Sequence, residues 1–237
     1  MKKHNRKGVS PAGVVPAICI MMLFLFAFSV IPSFAANAEE AQGIVDKARV
    51  TFNDFMRDKN YTWLHDHLKD AKGLLIFPQV IKGGFFIGGS GGTGVLVVRD
   101  ARTGDWSQPA FYKLASVSVG FQIGGEHSQV ILFIRSQEGL DSFLNSSVKL
   151  GGEVSVAAGP VGEGAQATTA DILSFSRSKG AFVGAALGGT VVKPAKDLNR
   201  AFYGRRASPV DILVRQDVKS DKTGSLREAL AEASKRK

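Results

Sequence analysis

The chain has 237 residues, 44% hydrophobic and 22% charged, with a formal net charge of +9. That supports one ordinary folded domain with appendages and excludes a disordered chain. The single cysteine, Cys19, lies in the N-terminal leader, so the remainder has no disulfide, no thiol catalysis and no cysteine metal site.

In chain order, Lys2, Lys3, Arg6 and Lys7 precede an uncharged apolar run from Ala17 to Val30. That run is shorter than the ~20 residues a membrane span needs. Small-residue patterns at Ser33-Phe34-Ala35 and Ala36-Asn37-Ala38 follow. Residues 1–38 are therefore expected to be an export signal cleaved after Ala35 or Ala38, with a retained anchor as the alternative. A helical segment is expected over residues 39–72. Ile44, Ala48, Phe52 and Phe55 form one apolar stripe over Ala41 to Arg57. A second helix is expected over Thr62 to Lys72, capped by Thr62 and stopped by Gly73, with Trp63, Leu64 and Leu68 inward.

From Gly73 to Gly204 the chain holds 23 of its 27 glycines, among short apolar runs. The runs Leu74–Phe77, Gly84–Gly88, Gly94–Arg99, Ala115–Gly124 and Gln129–Arg135 read as strands. Val148–Val156 and Ala165–Arg177 have the same texture, and Phe182–Val192 reads as a strand pair around Gly188-Gly189. Gln137–Asn145 is expected to be a short helix burying Leu140, Phe143 and Leu144. Pro194–Tyr203 reads as a helical turn ending at Gly204. Residues 205–237 read as a basic tail with a short helix, Ser225–Ser234, burying Leu226 and Leu230. The expected fold is α+β, with N-terminal helices packed on a glycine-rich, mainly antiparallel, curled or barrel-like sheet.

The densest glycine stretch, "IGGSGGTGVLVV" (87–98), invites three functional readings. A phosphate loop needs Lys-Ser/Thr after its last glycine and a helix to follow, but Gly94 leads into Val-Leu-Val-Val. Gly88 to Gly92 matches G-x-S-x-G around Ser90, but a nucleophile elbow joins a strand to a helix and needs a histidine base. His127 falls in an expected turn, Gly124–Ser128. The stretch is therefore read as a tight strand-to-strand connection, its glycines allowing positive φ and close packing. Ser146-x-x-Lys149, Ser176-x-x-Lys179 and Lys222-Thr223-Gly224 lack the rest of a penicillin-binding-type site. His65 and His67, two apart on a helix, face different ways and make no metal pair. No catalytic residue, metal or cofactor is expected. Basic residues show no dense stripe interleaved with aromatics, so nucleic acid is not an expected partner.

Five blocks carry a resemblance: "AKGLLIFPQVIKGGFFIGGSGGTGVLV" (71–97), "SVGFQIGGEHSQVILFI" (118–134), "VSVAAGPVGEGAQA" (154–167), "ILSFSRSKGAFVGAALGGTVV" (172–192) and "FYG" (202–204). In this order they resemble a SYLF domain, shared by secreted bacterial proteins and eukaryotic actin-patch and endocytic proteins. The resemblance implies a non-enzymatic lipid-binding module. In eukaryotic members it extends to phosphoinositides, through an amphipathic N-terminal helix, and to actin. Actin is not carried over, because an exported protein does not meet it.

The expectation is an exported, non-enzymatic protein, periplasmic or secreted, peripheral to a membrane and binding an anionic phospholipid or phosphoinositide-like headgroup. Its candidate headgroup contacts are Lys47, Arg49, Arg57, Lys59, Arg177 and Lys179. Phe52 and Phe55 are candidates for membrane insertion, with core packing as their alternative role. The rival functions are an envelope scaffold with protein partners and an unrecognised serine hydrolase.

Overall fold

A computed structural model describes residues 38–84, 87–119, 124–144, 147–162, 164–178 and 189–235. The expected export signal over residues 1–38, apart from Ala38, lies outside these residues, as do Lys179 and most of the expected Phe182–Val192 strand pair. Helix α1 (Ala38–Arg57) buries Ala41, Val45, Ala48, Phe52 and Phe55, with Ile44 at the margin of the stripe. Glu39 and Glu40 in its first turn and Arg57 in its last complement the helix dipole. The second helix is shorter than expected. Helix α2 (Thr62–His67) is flanked by 3₁₀ turns over Lys59–Tyr61 and Leu68–Asp70. Thr62 does not cap it; Asp58 caps the preceding turn by accepting from Asn60 N at 3.1 Å.

Among the described residues, eight strands follow in one sheet. They are β1 (Gly73–Gly84), β2 (Ile87–Val98), β3 (Ala110–Val119), β4 (Gly124–Ile134), β5 (Val148–Lys149), β6 (Val156–Ala158), β7 (Ile172–Ser178) and β8 (Val191–Pro194). Their spatial order is β5-β8-β3-β2-β1-β4-β7-β6. Every pairing is antiparallel except β6 with β7. The expected α+β class with a mainly antiparallel curled sheet is what the structure has, but β1, β2 and β4 are longer than the apolar runs suggested, β3 is shifted to begin at Ala110, and β5 and β7 are shorter than Val148–Val156 and Ala165–Arg177 suggested. "IGGSGGTGVLVV" is a 12-residue strand, not a connection, and none of its glycines is among those with positive φ. His127 is likewise inside β4, not in a turn.

Strand β1 is central and carries Pro78, which has no N–H to give to a ladder. Ile76 pairs with Val95 and Gln79 with Thr93, so three steps on β1 match two on β2. The same mismatch occurs against β4, between Phe77 and Val80. One extra residue is thus absorbed in a bulge at Pro78. The bulged carbonyls press on β2. A Cβ at Gly92 would lie 2.6 Å from the Gln79 carbonyl oxygen, and one at Gly94 would overlap the Ile76 carbonyl and the Phe77 ring. The glycines of β2 serve close approach across this bulge.

The bulge also resets which face each side chain meets. Leu74 and Ile76 point to the face covered by α1, together with Val95, Val97, Ile131 and Phe133. Leu75 and Phe77 point to the other, with Leu96, Tyr112 and Leu132, under helices α3 (Gln137–Leu144) and α5 (Pro209–Leu213). Past Pro78, Val80 belongs to the second face. Ile81, next along, is 50% exposed on the first.

Helix α4 (Lys196–Tyr203) ends at Gly204 with φ of 68°. The basic C-terminal stretch is folded back on the body. Helix α6 (Gly224–Ser234) buries Leu226 and Leu230 in the same core as α1. Thr223 Oγ1 donates to Gln108 Oε1 at 2.8 Å, and Arg227 Nε to the Trp106 carbonyl at 2.8 Å. Helix α5, unforeseen in the sequence, opens with a capping box between Ser208 and Asp211 and has Pro209 in its first turn.

Gly94→Ala should therefore destabilise the protein by about 1–3 kcal/mol through overpacking. Gly43→Ala, in α1 where an added Cβ meets nothing within 4 Å, should stabilise it by about 1 kcal/mol. Urea unfolding of both variants checks the pair of signs.

Candidate functional site

Helix α1 lies across one face of the sheet, and an open cleft runs along each side of it. The first, of about 640 Å³, lies towards β4 and β7 and is lined by Lys47, Arg49, Val50, His127, Gln129 and Arg177, among others. The second, of about 620 Å³, lies towards β2, β3 and β8 and is lined by Lys47, Ile81, Gly91, Lys113, Ala115 and Lys193, among others. Lys47, Pro78 and Gln79 line both clefts. The bulged segment is therefore floor to each, with Lys47 on the divide.

The expected site residues separate into groups. Lys47, Arg49 and Arg177 meet at the first cleft. Arg57 lies with Arg49 in another recess, shared with Glu228 and Glu232 of α6. Lys59 is exposed in the turn after α1. Arg177 is not a free cation: Nη1 lies 3.5 Å from Asp54 Oδ2 and Nε lies 3.4 Å from Asp58 Oδ2. Gln129 Nε2 donates to Thr51 Oγ1 and Asp54 Oδ2, both at 3.3 Å. These bonds strap α1 to β4 and β7. Tyr61 joins the same end, its hydroxyl donating to the Ser176 carbonyl at 2.6 Å. Burial raises the Tyr61 pKa and the nearby Asp58 charge adds to this, against an opposing pull from Arg177. Tyr61 is therefore neutral and a donor at ordinary pH.

Phe52 and Phe55 are fully buried in the core beneath α1. Moving them into a bilayer would exchange one apolar medium for another and leave a cavity behind, so insertion gains nothing through them. They are core residues of the docked helix. Apolar side chains that reach the surface near the clefts include Val50 at 49%, Ile81 at 50% and Val191 at 39% exposure.

The hydrolase motif also resolves. Ser90 sits mid-strand, paired with Lys82 and Ser116, its Oγ 2.6 Å from Ser116 Oγ. There is no strand-to-helix turn here and, among the described residues, no histidine on the hydroxyl. His65 and His67 each bond a backbone carbonyl at 2.8 Å, Phe55 O and Trp63 O respectively. Among the described residues no group of three or more His, Cys, Asp or Glu could hold a metal ion, and no helix is long and apolar enough to cross a membrane.

Lys113 and Lys193 went unnoticed in the sequence. They are 80 positions apart and become direct cross-strand partners only through the β3–β8 register. One signal was available. Lys113 alternates in phase with Phe111, Ala115 and Val117, a lysine on what otherwise reads as an apolar face.

Comparison with known proteins places this geometry in context. A family model described as "Ysc84: Las17-binding protein actin regulator" matches residues 115–233. The chain is 35% identical over 156 residues to LAS seventeen-binding protein 3 of Saccharomyces cerevisiae, covering 62% of this chain and 34% of that protein. It is 36% identical over 154 residues to protein YSC84 of the same yeast, covering 62% and 32%. It is 34% identical over 149 residues to the human SH3 domain-containing YSC84-like protein 1, covering 60% and 43%. It thus spans less than half the length of these curated relatives. No solved structure matches.

The strap is measurable. Arg177→Gln and Asp54→Asn should each cost about 1 kcal/mol, as partly exposed ion pairs do. A double-mutant cycle on urea unfolding should show them coupled by about 0.5 kcal/mol or more.

Proposed function

The chain belongs to the Ysc84 family, and from that premise we propose that it is a non-enzymatic module that binds anionic membrane lipid at a cell-envelope surface. The observation that carries this reading is the set of cations on the outer side of α1, where Lys47 and Arg49 stand with Asp46, beside clefts floored by Pro78 and Gln79 and with Val50 and Ile81 exposed. Lys47, on the divide between the clefts, is the leading headgroup contact. Arg49 and Lys59 extend the basic surface, and Arg57 contributes where α6 leaves it open. Arg177 serves by holding α1 in place. Capture is electrostatic, with shallow apolar contact from side chains already at the surface.

The basic and apolar pattern over residues 1–38 supports a reading as an exported protein, periplasmic or secreted and peripheral to a membrane. Protein binding by the yeast relative LAS seventeen-binding protein 3, stated in its name, belongs to a longer chain, of which the matched region covers 34%. A scaffold role for this chain is the competing reading, and the same experiment addresses it.

The chain from Asn37 onward omits the apolar N-terminal run and retains all but the first residue of the compact unit of residues 36–237. It should float with phosphatidylglycerol-containing vesicles and not with phosphatidylcholine vesicles. Binding should weaken steadily with salt. Lys47→Glu, a change of two charges at about 1 kcal/mol each near an anionic surface, should weaken it about thirtyfold. Absence from both floating fractions sinks the lipid reading and leaves the scaffold.

A further inference from the structure

We propose that the second cleft is a site for a single anionic phospholipid molecule drawn from the membrane, its phosphate held by Lys113 and Lys193 and one acyl chain lying on the adjacent row of the sheet. This rests on the lipid-binding reading above and makes it specific, since binding to a membrane surface needs no such site.

The first observation is a charge conflict. Lys113 and Lys193 are directly opposed on neighbouring antiparallel strands, an arrangement in which like charges repel. Both are exposed, and both line the cleft with Lys47. Among the described residues none of the three lysines is in an ion pair. The acid lining the cleft, Glu40, already has an interaction of its own. An oxyanion between Lys113 and Lys193 would turn the repulsion into two charge-assisted hydrogen bonds.

The second observation is the row beside that pair. The registers align Ile81 with Gly91, Gly91 with Ala115 and Ala115 with Val191 across β1, β2, β3 and β8. Directly paired residues share a face, and this is the face of Lys113 and Lys193, two positions along each strand. All four are exposed, Ile81 at 50% and Val191 at 39%. The row is an apolar trough, low at Gly91 and Ala115 and raised at both ends. Three strand spacings make it about 14 Å long, close to the ~15 Å of half a bilayer's hydrocarbon core. A cationic anchor beside an apolar track of one chain's length fits an anionic lipid better than a free phosphate, which would leave the track unused, or an acidic peptide, whose backbone would need an open strand edge.

The test uses the chain from Asn37 and dihexanoyl phosphatidylglycerol below its micellar concentration, with dihexanoyl phosphatidylcholine and glycerol phosphate as controls, by calorimetry. One-to-one binding of the phosphatidylglycerol analogue is expected, at least tenfold tighter than either control. Lys113→Gln/Lys193→Gln should weaken it at least tenfold, with the thermal midpoint confirming the fold. A measurement on the unmutated chain guards against a misfolded variant: a spin-labelled short-chain phosphatidylglycerol should broaden the amide signals of Ile81, Gly91, Ala115 and Val191 while sparing α6. The inference is overturned by unchanged affinity in the double variant, by broadening elsewhere, or by equal binding of glycerol phosphate. It also fails, with the membrane reading left standing, if the chain floats with anionic vesicles yet binds no monomeric lipid. Failure of both vesicle and monomer binding removes the two readings together.

Discussion

A proline in a central strand governs this molecule. Pro78 cannot donate to either neighbour, yet β1 is paired along most of its length with β2 and β4. The bulge that accommodates it adds one residue and shifts the side-chain phase by one. Without that shift, Val80 would face α1 and Ile81 would face the second core. With it, Val80 is buried and Ile81 is available beside Lys47 at the cleft. The bulge also presses on β2, which explains glycine at positions 92 and 94 as steric necessity. Pro78 and Gln79 then form the floor common to both clefts.

On that platform α1 has two roles. Its buried face, through Ala48, Phe52 and Phe55, joins sheet and C-terminal helix in one core. Its outer face leaves Lys47 and Val50 at the clefts. Arg177 connects the roles: bonded to Asp54 and Asp58, it fixes the helix over the sheet and so sets the cleft walls. A residue that looks like a headgroup ligand by charge alone is a strap once its partners are seen.

Much of the site was hidden in the sequence for one reason. Helical spacing is local, so the stripe of α1 and its cations Lys47 and Arg49 could be read from residues three and four apart. Strand register is not local. Lys113 and Lys193, and the row Ile81-Gly91-Ala115-Val191, exist only where the consecutive strands β1, β2 and β3 take their register and the distant β8 aligns with β3. Glycine compounded the difficulty. In β2 it resembles a loop, because a residue without a side chain shows no alternation, and the apolar-run criterion stopped β1 at Pro78 for a similar reason.

The sequence by itself determined the α+β class, α1 and its buried face, the helix ending at Gly204 and the family resemblance, since each rests on periodicity, a cap or a block within a few dozen residues. Only the tertiary structure decided that "IGGSGGTGVLVV" is a strand shaped by a neighbour's bulge, that Ser90 faces another serine, that Phe52 and Phe55 belong to the core and that two remote lysines stand opposed. Each of these depends on what lies across from a residue in space, and the order of residues along the chain carries that only after the strands have paired.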